Sequence, residues 1–278
     1  MNYRTLLNTC PDVPDRERLL NSLCGWSFGE FVRRENEEAD PRTEARFRAG
    51  IERLRAHEPL QYILGEAPFY GRMFSVDSRV LIPRFDTEIL LQEALRCIEE
   101  IETEGTMEPK VLDLCTGSGC LAVTMKAERP EISAAASDLM ENALIVAKEN
   151  ERRILEGSGR IEWIRSDLFQ DIRGRFDLIV TNPPYIRTTE IGTLDPEVRA
   201  HEPLNALDGG ADGLEFVRKI SREARAHLSL NGRLLMEIGD EEGPDALGIF
   251  REDGYRDIRI LRDLAGRDRV LSARKGSE

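Results

Sequence analysis

The run Asn182-Pro183-Pro184-Tyr185 carries residue types that imply chemistry most directly. It follows Phe176 to Thr181, an apolar stretch that reads as a buried strand. Two consecutive prolines fix φ and remove two amide donors, so nearby carbonyl oxygens stay free to accept from a ligand. Asn182 adds a side-chain oxygen and Tyr185 a flat apolar face. Together Asn182, Pro183, Pro184 and Tyr185 make a slot for a planar group bearing an NH2, with two acceptors for its hydrogens and a ring over its face. A second constellation lies upstream. Val111 to Leu114 reads as a strand that runs into Cys115-Thr116-Gly117-Ser118-Gly119, a turn where backbone can approach a ligand before a helix opens. Asp138 ends the next strand, roughly 20 residues on, where a carboxylate accepts from ribose hydroxyls. Gly117, Gly119 and Ala122 also satisfy the dinucleotide fingerprint, so an NAD-dependent dehydrogenase fits these residues as well. Asp167 and Leu168 close the third strand at the same sheet edge. Asp167 is placed either to accept from an adenine amino group or to cap the following turn.

These residues need a parallel sheet to bring them together, and the chain supplies its pattern. Strands are expected at 110–115, 133–137, 161–166, 176–181 and 232–238, with helices at 119–128, 140–155 and 213–228 between them. Residues 255–261 and 269–273 are close enough to pair as an antiparallel hairpin, a closure that favours a methyltransferase-type sheet over a dinucleotide-binding one. A helix is expected over 86–104. Ahead of it, residues 61–64 and 69–76 read as a β-hairpin linker, and 15–24, 28–38 and 43–56 as short helices. The expected fold is therefore α/β and, by fold analogy, resembles a class I methyltransferase (Rossmann-like) sheet with an antiparallel C-terminal hairpin. A small N-terminal helical bundle is joined to it by a β-hairpin linker. The corresponding segments are 1–65, 66–85 and 86–278.

The 278 residues carry 39 Lys and Arg against 52 Asp and Glu, a net charge of −13. That balance opposes electrostatic capture of duplex nucleic acid. Residues 1–85 hold 13 Arg against 13 acidic residues, so the excess lies in the rest of the chain. An acidic body suits a basic protein partner or simple solubility. Five cysteines without Cys-x-x-Cys spacing and three histidines suggest neither a disulfide framework nor a metal site. No long apolar run or secretory leader is evident, so a cytoplasmic protein without a membrane span is expected.

The glycine turn, Asp138, Asp167 and Asn182 to Tyr185 resemble class I S-adenosylmethionine-dependent methyltransferases that act on planar amino or amide nitrogens. Three further segments narrow the resemblance. Pro59-Leu60-Gln61-Tyr62-Ile63-Leu64-Gly65, Val80 to Glu88 with Pro83-Arg84-Phe85-Asp86-Thr87-Glu88, and Glu202-Pro203-Leu204-Asn205-Ala206-Leu207 through Gly209, Gly210, Asp212, Gly213 and Leu214 resemble the peptide chain release factor glutamine methyltransferases (the PrmC or HemK family). The resemblance implies methyl transfer from S-adenosylmethionine to the amide nitrogen of the glutamine in a release factor's Gly-Gly-Gln motif. It places cofactor contacts at Cys115, Thr116, Gly117, Ser118, Gly119, Asp138, Asp167, Leu168 and Asn182, and the substrate slot at Asn182 to Tyr185. It also implies a release factor as protein substrate; a monomer with no stable nucleic-acid binding is expected, and the N-terminal bundle, as an extra domain, is where recognition of that substrate is expected. A ribosomal protein glutamine methyltransferase and an adenine amino-methyltransferase share the slot and stand as alternatives. Cys115 stands where the family commonly has glycine, and Phe85 where proline often follows the arginine. Neither change removes a ligand contact made by a side chain. Glu242 stands where a glutamine is often seen.

Overall fold

The computed structural model describes residues 1–276, which form two compact units. The first unit comprises Met1–Glu66 and Leu194–Glu202, and the second comprises Ala67–Thr193 and the chain from Pro203 onward. Residues 194–202 are thus a departure from the three consecutive segments expected of the sequence, since they group with the N-terminal helices.

The first unit is built from α1 (Tyr3–Leu7), α2 (Arg16–Cys24), α3 (Phe28–Arg34), α4 (Pro41–Arg55) and α5 (Leu60–Leu64). Local chemistry sets their starts. Asp40 Oδ2 accepts from the Thr43 amide at 2.8 Å with Pro41 in the first turn of α4, and Ser27 with Glu30 forms a reciprocal capping box on α3. Their apolar faces meet in a core that includes Leu6, Leu19, Leu20, Phe47 and Ile51. Gly50 permits the approach of α4 to α2, because a Cβ there would lie 2.7 Å from Leu19 Cδ2. Residues 61–64, expected in the hairpin linker, are helical instead. Pro59 fixes the entry to α5, and Gly65 at φ +78° closes it after a little more than one turn.

The hairpin starts after that glycine, as β1 (Glu66–Phe69) and β2 (Arg72–Ser75). Tyr70 and Gly71 make its tight turn, both at positive φ, the conformation that suits the twist of a two-residue hairpin. The second unit continues through α6 (Thr87–Thr103), β3 (Lys110–Leu114), α7 (Cys120–Glu128), β4 (Ser133–Asp138), α8 (Glu141–Leu155), β5 (Ile161–Arg165) and β6 (Phe176–Thr181). After α9 (Pro196–His201), which belongs to the first unit, come α10 (Glu215–His227), β7 (Leu228–Glu237), α11 (Gly243–Glu252), β8 (Tyr255–Arg262) and β9 (Asp268–Lys275). The sequence reading overlooked α11, whose Gly243-Pro244 start resembles a loop. Proline in the first helical turn loses no hydrogen bond, so it begins the helix here.

Seven strands form one sheet in the order β5-β4-β3-β6-β7-β9-β8, parallel except that β9 runs antiparallel to both β7 and β8. Both faces are covered. Along β3 and β6 successive side chains divide between two cores: Val111, Leu178 and Val180 pack with α6 and α7, whereas Leu112, Leu114 and Ile179 pack with residues of α10 and α11. That two-sided burial explains why these strands are mostly apolar instead of alternating. The chain moves from β3 outward to β5 and then returns to β6 on the other side of β3. A crevice therefore opens beyond the carboxyl ends of these central strands. Among the described residues, no helix is long and apolar enough to cross a membrane.

Candidate active site

Strand register brings the site together. Leu114 pairs with Ser137 on one side and with Thr181 on the other, and Thr181 pairs with Met236. The next residue of each strand path therefore stands at one level: Cys115, Asp138, Asn182 and Glu237. Cys115, Thr116, Gly117, Ser118, Asp138, Asp167, Leu168, Asn182 and Pro184 all line a single cleft. The structure does not put every expected residue on its wall. Gly119, Pro183 and Tyr185 do not line it; Pro183 is buried, and Tyr185 turns its hydroxyl inward, donating to Glu237 Oε1 at 3.3 Å.

The turn after β3 is held from beneath. Buried Asp113 accepts at Oδ2 from the Thr116 hydroxyl at 2.6 Å and from the Ala122 amide at 3.1 Å. Gly117 has φ +56°, and a Cβ added there would meet no atom within 4 Å, so the backbone lies open to the cleft. Gly119, at φ +78°, is closed in: an added Cβ would sit 3.0 Å from Ala147 Cβ and 3.1 Å from Trp163. Asn150 anchors the turn's far side. Fully buried, it donates to the Ser118 carbonyl at 2.9 Å and the Ser75 carbonyl at 3.0 Å, and accepts from the Ser75 amide at 2.7 Å.

Cys115 adopts φ +61°, the left-handed conformation that disfavours a side chain. Its side chain also packs against the core on the α10 side of the sheet. Strain relief of about 1–2 kcal/mol and packing loss of similar size oppose one another in Cys115→Gly. We expect that variant to stay within about 0.5 kcal/mol of the parent in denaturant melts. Cys115→Val, with a branched Cβ in the same conformation, should lose about 2 kcal/mol.

The cleft suits a nucleoside bearing a hydrocarbon-flanked sulfonium. Asp138 accepts the Gly117 amide at Oδ2 and the Met140 amide at Oδ1, both at 2.9 Å, and each oxygen keeps a lone pair for a hydroxyl donor. Leu139, Met140 and Leu168 offer apolar walls for a flat ring, and Asp167 stands beside them as an acceptor at the rim.

On the other side of the cleft, Asn182 Nδ2 donates to Thr87 Oγ1 at 3.2 Å, which leaves Oδ1 as the free acceptor of that amide. Thr87 is 3% exposed and lies at the start of α6, so the Pro83 to Glu88 motif now has a structural task. Sequence reasoning quoted Thr87 without a role and missed Glu237. The only sign of Glu237 was an acidic residue ending an apolar strand. The segment from Pro203 supports the same loop: the Ile186 amide donates to the Leu207 carbonyl at 3.0 Å and the Gly209 amide to the Ile186 carbonyl at 2.8 Å. Glu242 does not line the cleft. It accepts the Gly239 amide at 2.9 Å and abuts Gly213, where a Cβ would overlap its Oε1.

Burial pushes three carboxyls up to about 7: Asp113, Glu237 and Glu242. An acid whose folded-state pKa is raised contributes stability that is present below its unfolded value and lost as pH rises through the folded one. The protein should therefore gain stability between about pH 8 and pH 5, by a few kcal/mol in total. Carboxylates held low, such as Asp212 at about 2 through the Arg218 guanidinium, act only below that window. Melting temperatures across this range check the sign; a fall on acidification from pH 8 to pH 5.5 contradicts it.

Comparisons with known proteins agree with this architecture. Residues 89–194 match the model of the methyltransferase small domain, and residues 12–65 match that of the PrmC N-terminal domain. The release factor glutamine methyltransferase of Agrobacterium fabrum is 39% identical over 94% of this chain and 90% of its own length. That of Cereibacter sphaeroides is 45% identical over 84% and 81%. Among solved structures, a methyltransferase from Pyrococcus furiosus superposes with a TM-score of 0.54 at 18% identity, covering 86% of this chain and all of the other, which bears on the fold. The sheet, the cleft and relatives aligned over nearly the whole chain lead to one assignment: the chain belongs to the release factor glutamine methyltransferase family.

Proposed function

We propose that the chain transfers a methyl group from S-adenosylmethionine to the side-chain amide nitrogen of the glutamine in the Gly-Gly-Gln motif of peptide chain release factors. The observation that carries this reading is the Asn182 amide, its Nδ2 tied to Thr87 and its Oδ1 left as an acceptor, on the wall of a cleft with acceptors for a nucleoside. S-adenosylmethionine supplies an electrophilic methyl on a sulfonium. The residues of the chain do the rest. Asp138 binds the ribose hydroxyls, Asp167 the adenine amino group, and Leu168 with the Cys115 to Gly119 turn encloses the remainder.

A carboxamide nitrogen is a weak nucleophile because its lone pair is delocalised into the carbonyl. Among the described residues, no strong base lines the slot. Asn182 Oδ1 and the Pro183 carbonyl hold the two N–H groups, which orients the nitrogen for in-line attack and favours its loss of conjugation. Proton loss then follows methylation, when the nitrogen has become acidic. Pro184 lines the cleft beside Asn182, and Tyr185 holds the loop through its hydroxyl bond to Glu237.

The slot accepts one side chain, so residues 1–65 are assigned the recognition of the rest of the release factor. This places the enzyme with its substrate in the cytoplasm. Labelled S-adenosylmethionine should mark a purified release factor and spare its Gly-Gly-Gln→Gly-Gly-Ala variant. Label on DNA or on ribosomal protein alone rejects the substrate. Removal of residues 1–58 should spare cofactor binding and abolish methylation of intact release factor; full activity in the truncated protein rejects the recognition role.

A further inference from the structure

Glutamine is a short lever. Its amide nitrogen lies about 5 Å from its own Cα, so a substrate whose glutamine fills the slot must lay its main chain on the rim around Asn182. That rim carries two large apolar side chains in water: Phe85, 73% exposed, and Leu264, wholly exposed. One buried guanidinium gathers them. Arg269, near the start of β9, places Nη2 3.2 Å from Asp263 Oδ2 and 3.5 Å from Asp86 Oδ2. Phe85 precedes Asp86 and Leu264 follows Asp263, so the two apolar residues flank one junction between the start of α6 and the β8–β9 turn.

Both sides of the junction are tied to the slot. Thr87, two residues after Phe85, accepts from Asn182 Nδ2. The Arg269 carbonyl accepts the Ile238 amide at 2.9 Å, next to the Glu237 that receives Tyr185 Oη. Val270 pairs with Glu237, which puts the β8–β9 turn at the same sheet edge as Asn182. The turn itself has no need of leucine. Asp263 fixes it, accepting at Oδ1 from the Ala265 and Arg267 amides, both at 2.9 Å, while its own amide donates to the Arg267 carbonyl at 2.8 Å. Leu264 is thus held out to solvent on an ordered backbone, which spares a partner the cost of ordering it.

The charges around the pair are already engaged: Arg262 with Asp268 at 3.2 Å, Arg267 with Asp240 at 3.4 Å, and Asp86 with Arg269. An apolar centre inside a self-neutralised polar ring is the anatomy of a protein-binding surface, and it selects an apolar partner over a charged one. We propose that Phe85 and Leu264 form a docking surface for the release factor, seating an apolar stretch of that protein beside the Gly-Gly-Gln motif while the glutamine occupies the slot. This role rests on the release factor reading above and adds a contact in the second unit to the recognition assigned to residues 1–65.

The full chain and an intact release factor serve for the test. Phe85→Ser and Leu264→Ser should each raise the KM for release factor about fivefold, and together about thirtyfold, with kcat at saturation and S-adenosylmethionine affinity unchanged. The ratio of variant to parent KM should be the same at about 50 mM and about 300 mM salt; a ratio that collapses at the higher concentration overturns the apolar contact. Met107→Ser is the control, because that side chain is 86% exposed but precedes β3, at the opposite edge of the sheet, and its loss should leave KM at the parental value. In a second readout, Leu264→benzoylphenylalanine should cross-link on illumination to the release factor next to its Gly-Gly-Gln motif, and Met107→benzoylphenylalanine should not. A parental KM in the double variant overturns the docking role and leaves the reaction intact. So does a loss confined to kcat, which would mean that the changes disturb the start of α6. If the parent protein marks no release factor, the substrate reading fails and this surface falls with it.

Discussion

Asn182→Ala is expected to lower kcat by about 10² to 10³ while changing S-adenosylmethionine affinity by less than about threefold. With Nδ2 tied to Thr87, Oδ1 is left as the acceptor proposed for the substrate amide, and its contribution depends on the charge of what it binds. In the ground state a glutamine NH2 is a neutral donor. As the methyl bond forms, the nitrogen gains positive charge, its hydrogens become more acidic, and a fixed acceptor binds them more tightly. An interaction that strengthens only on the way to the transition state is lost from kcat rather than from binding. Asp138 and the glycine turn, to which cofactor binding is assigned in the proposal, stand on separate strands and are untouched by the truncation. Steady-state rates with a release factor, set beside calorimetric titration of the cofactor, separate the two quantities. Equal losses in rate and cofactor affinity would falsify the role given to Asn182.

Sequence and structure agree where signals are local and repeated. The strand that leads into Cys115 to Gly119 and the one that leads into Asn182 are both largely apolar runs, each with one aspartate, ended by turn chemistry, and both stand where the pattern placed them. Thr87 and Asn182 were invisible as a pair because 95 residues separate them and they meet through the packing of α6 on β6. Tyr185 misled for a different reason. Its aromatic face suggested a wall of the slot, but a buried phenol must place its hydroxyl, and Glu237 was the acceptor at hand. Residues 61–64 looked like a strand from their aromatic and branched content; a proline before and a left-handed glycine after them make one short helix. The grouping of 194–202 with the N-terminal helices could not be read locally either, since it depends on non-local contacts such as His201 Nε2 to the Ala56 carbonyl at 3.1 Å.

Gly209→Ala should be almost as damaging to turnover as loss of Asn182, at a position that contributes no functional group. A Cβ at Gly209 would lie 2.6 Å from Tyr185 Cα, 2.7 Å from Tyr185 C and 2.8 Å from the Gly213 carbonyl oxygen. All three are backbone atoms, so no side-chain rotation relieves the overlap. The Asn182 to Tyr185 loop has to move instead, because Gly209 is hydrogen-bonded to Ile186 immediately after it. Displacing reacting groups by about 1 Å costs on the order of 10²-fold in rate, and overpacking of this kind costs about 1–3 kcal/mol of stability. Cofactor affinity should hold within about threefold, since the β3 turn and Asp138 lie on other strands. Gly248, inside α11 with open space around it, provides the control: its alanine variant should keep full activity and gain about 0.5–1 kcal/mol from helix propensity. A Gly209→Ala enzyme with parental kcat would mean that the loop tolerates the shift, and that the glycines after Leu207 serve folding without setting the geometry of the slot.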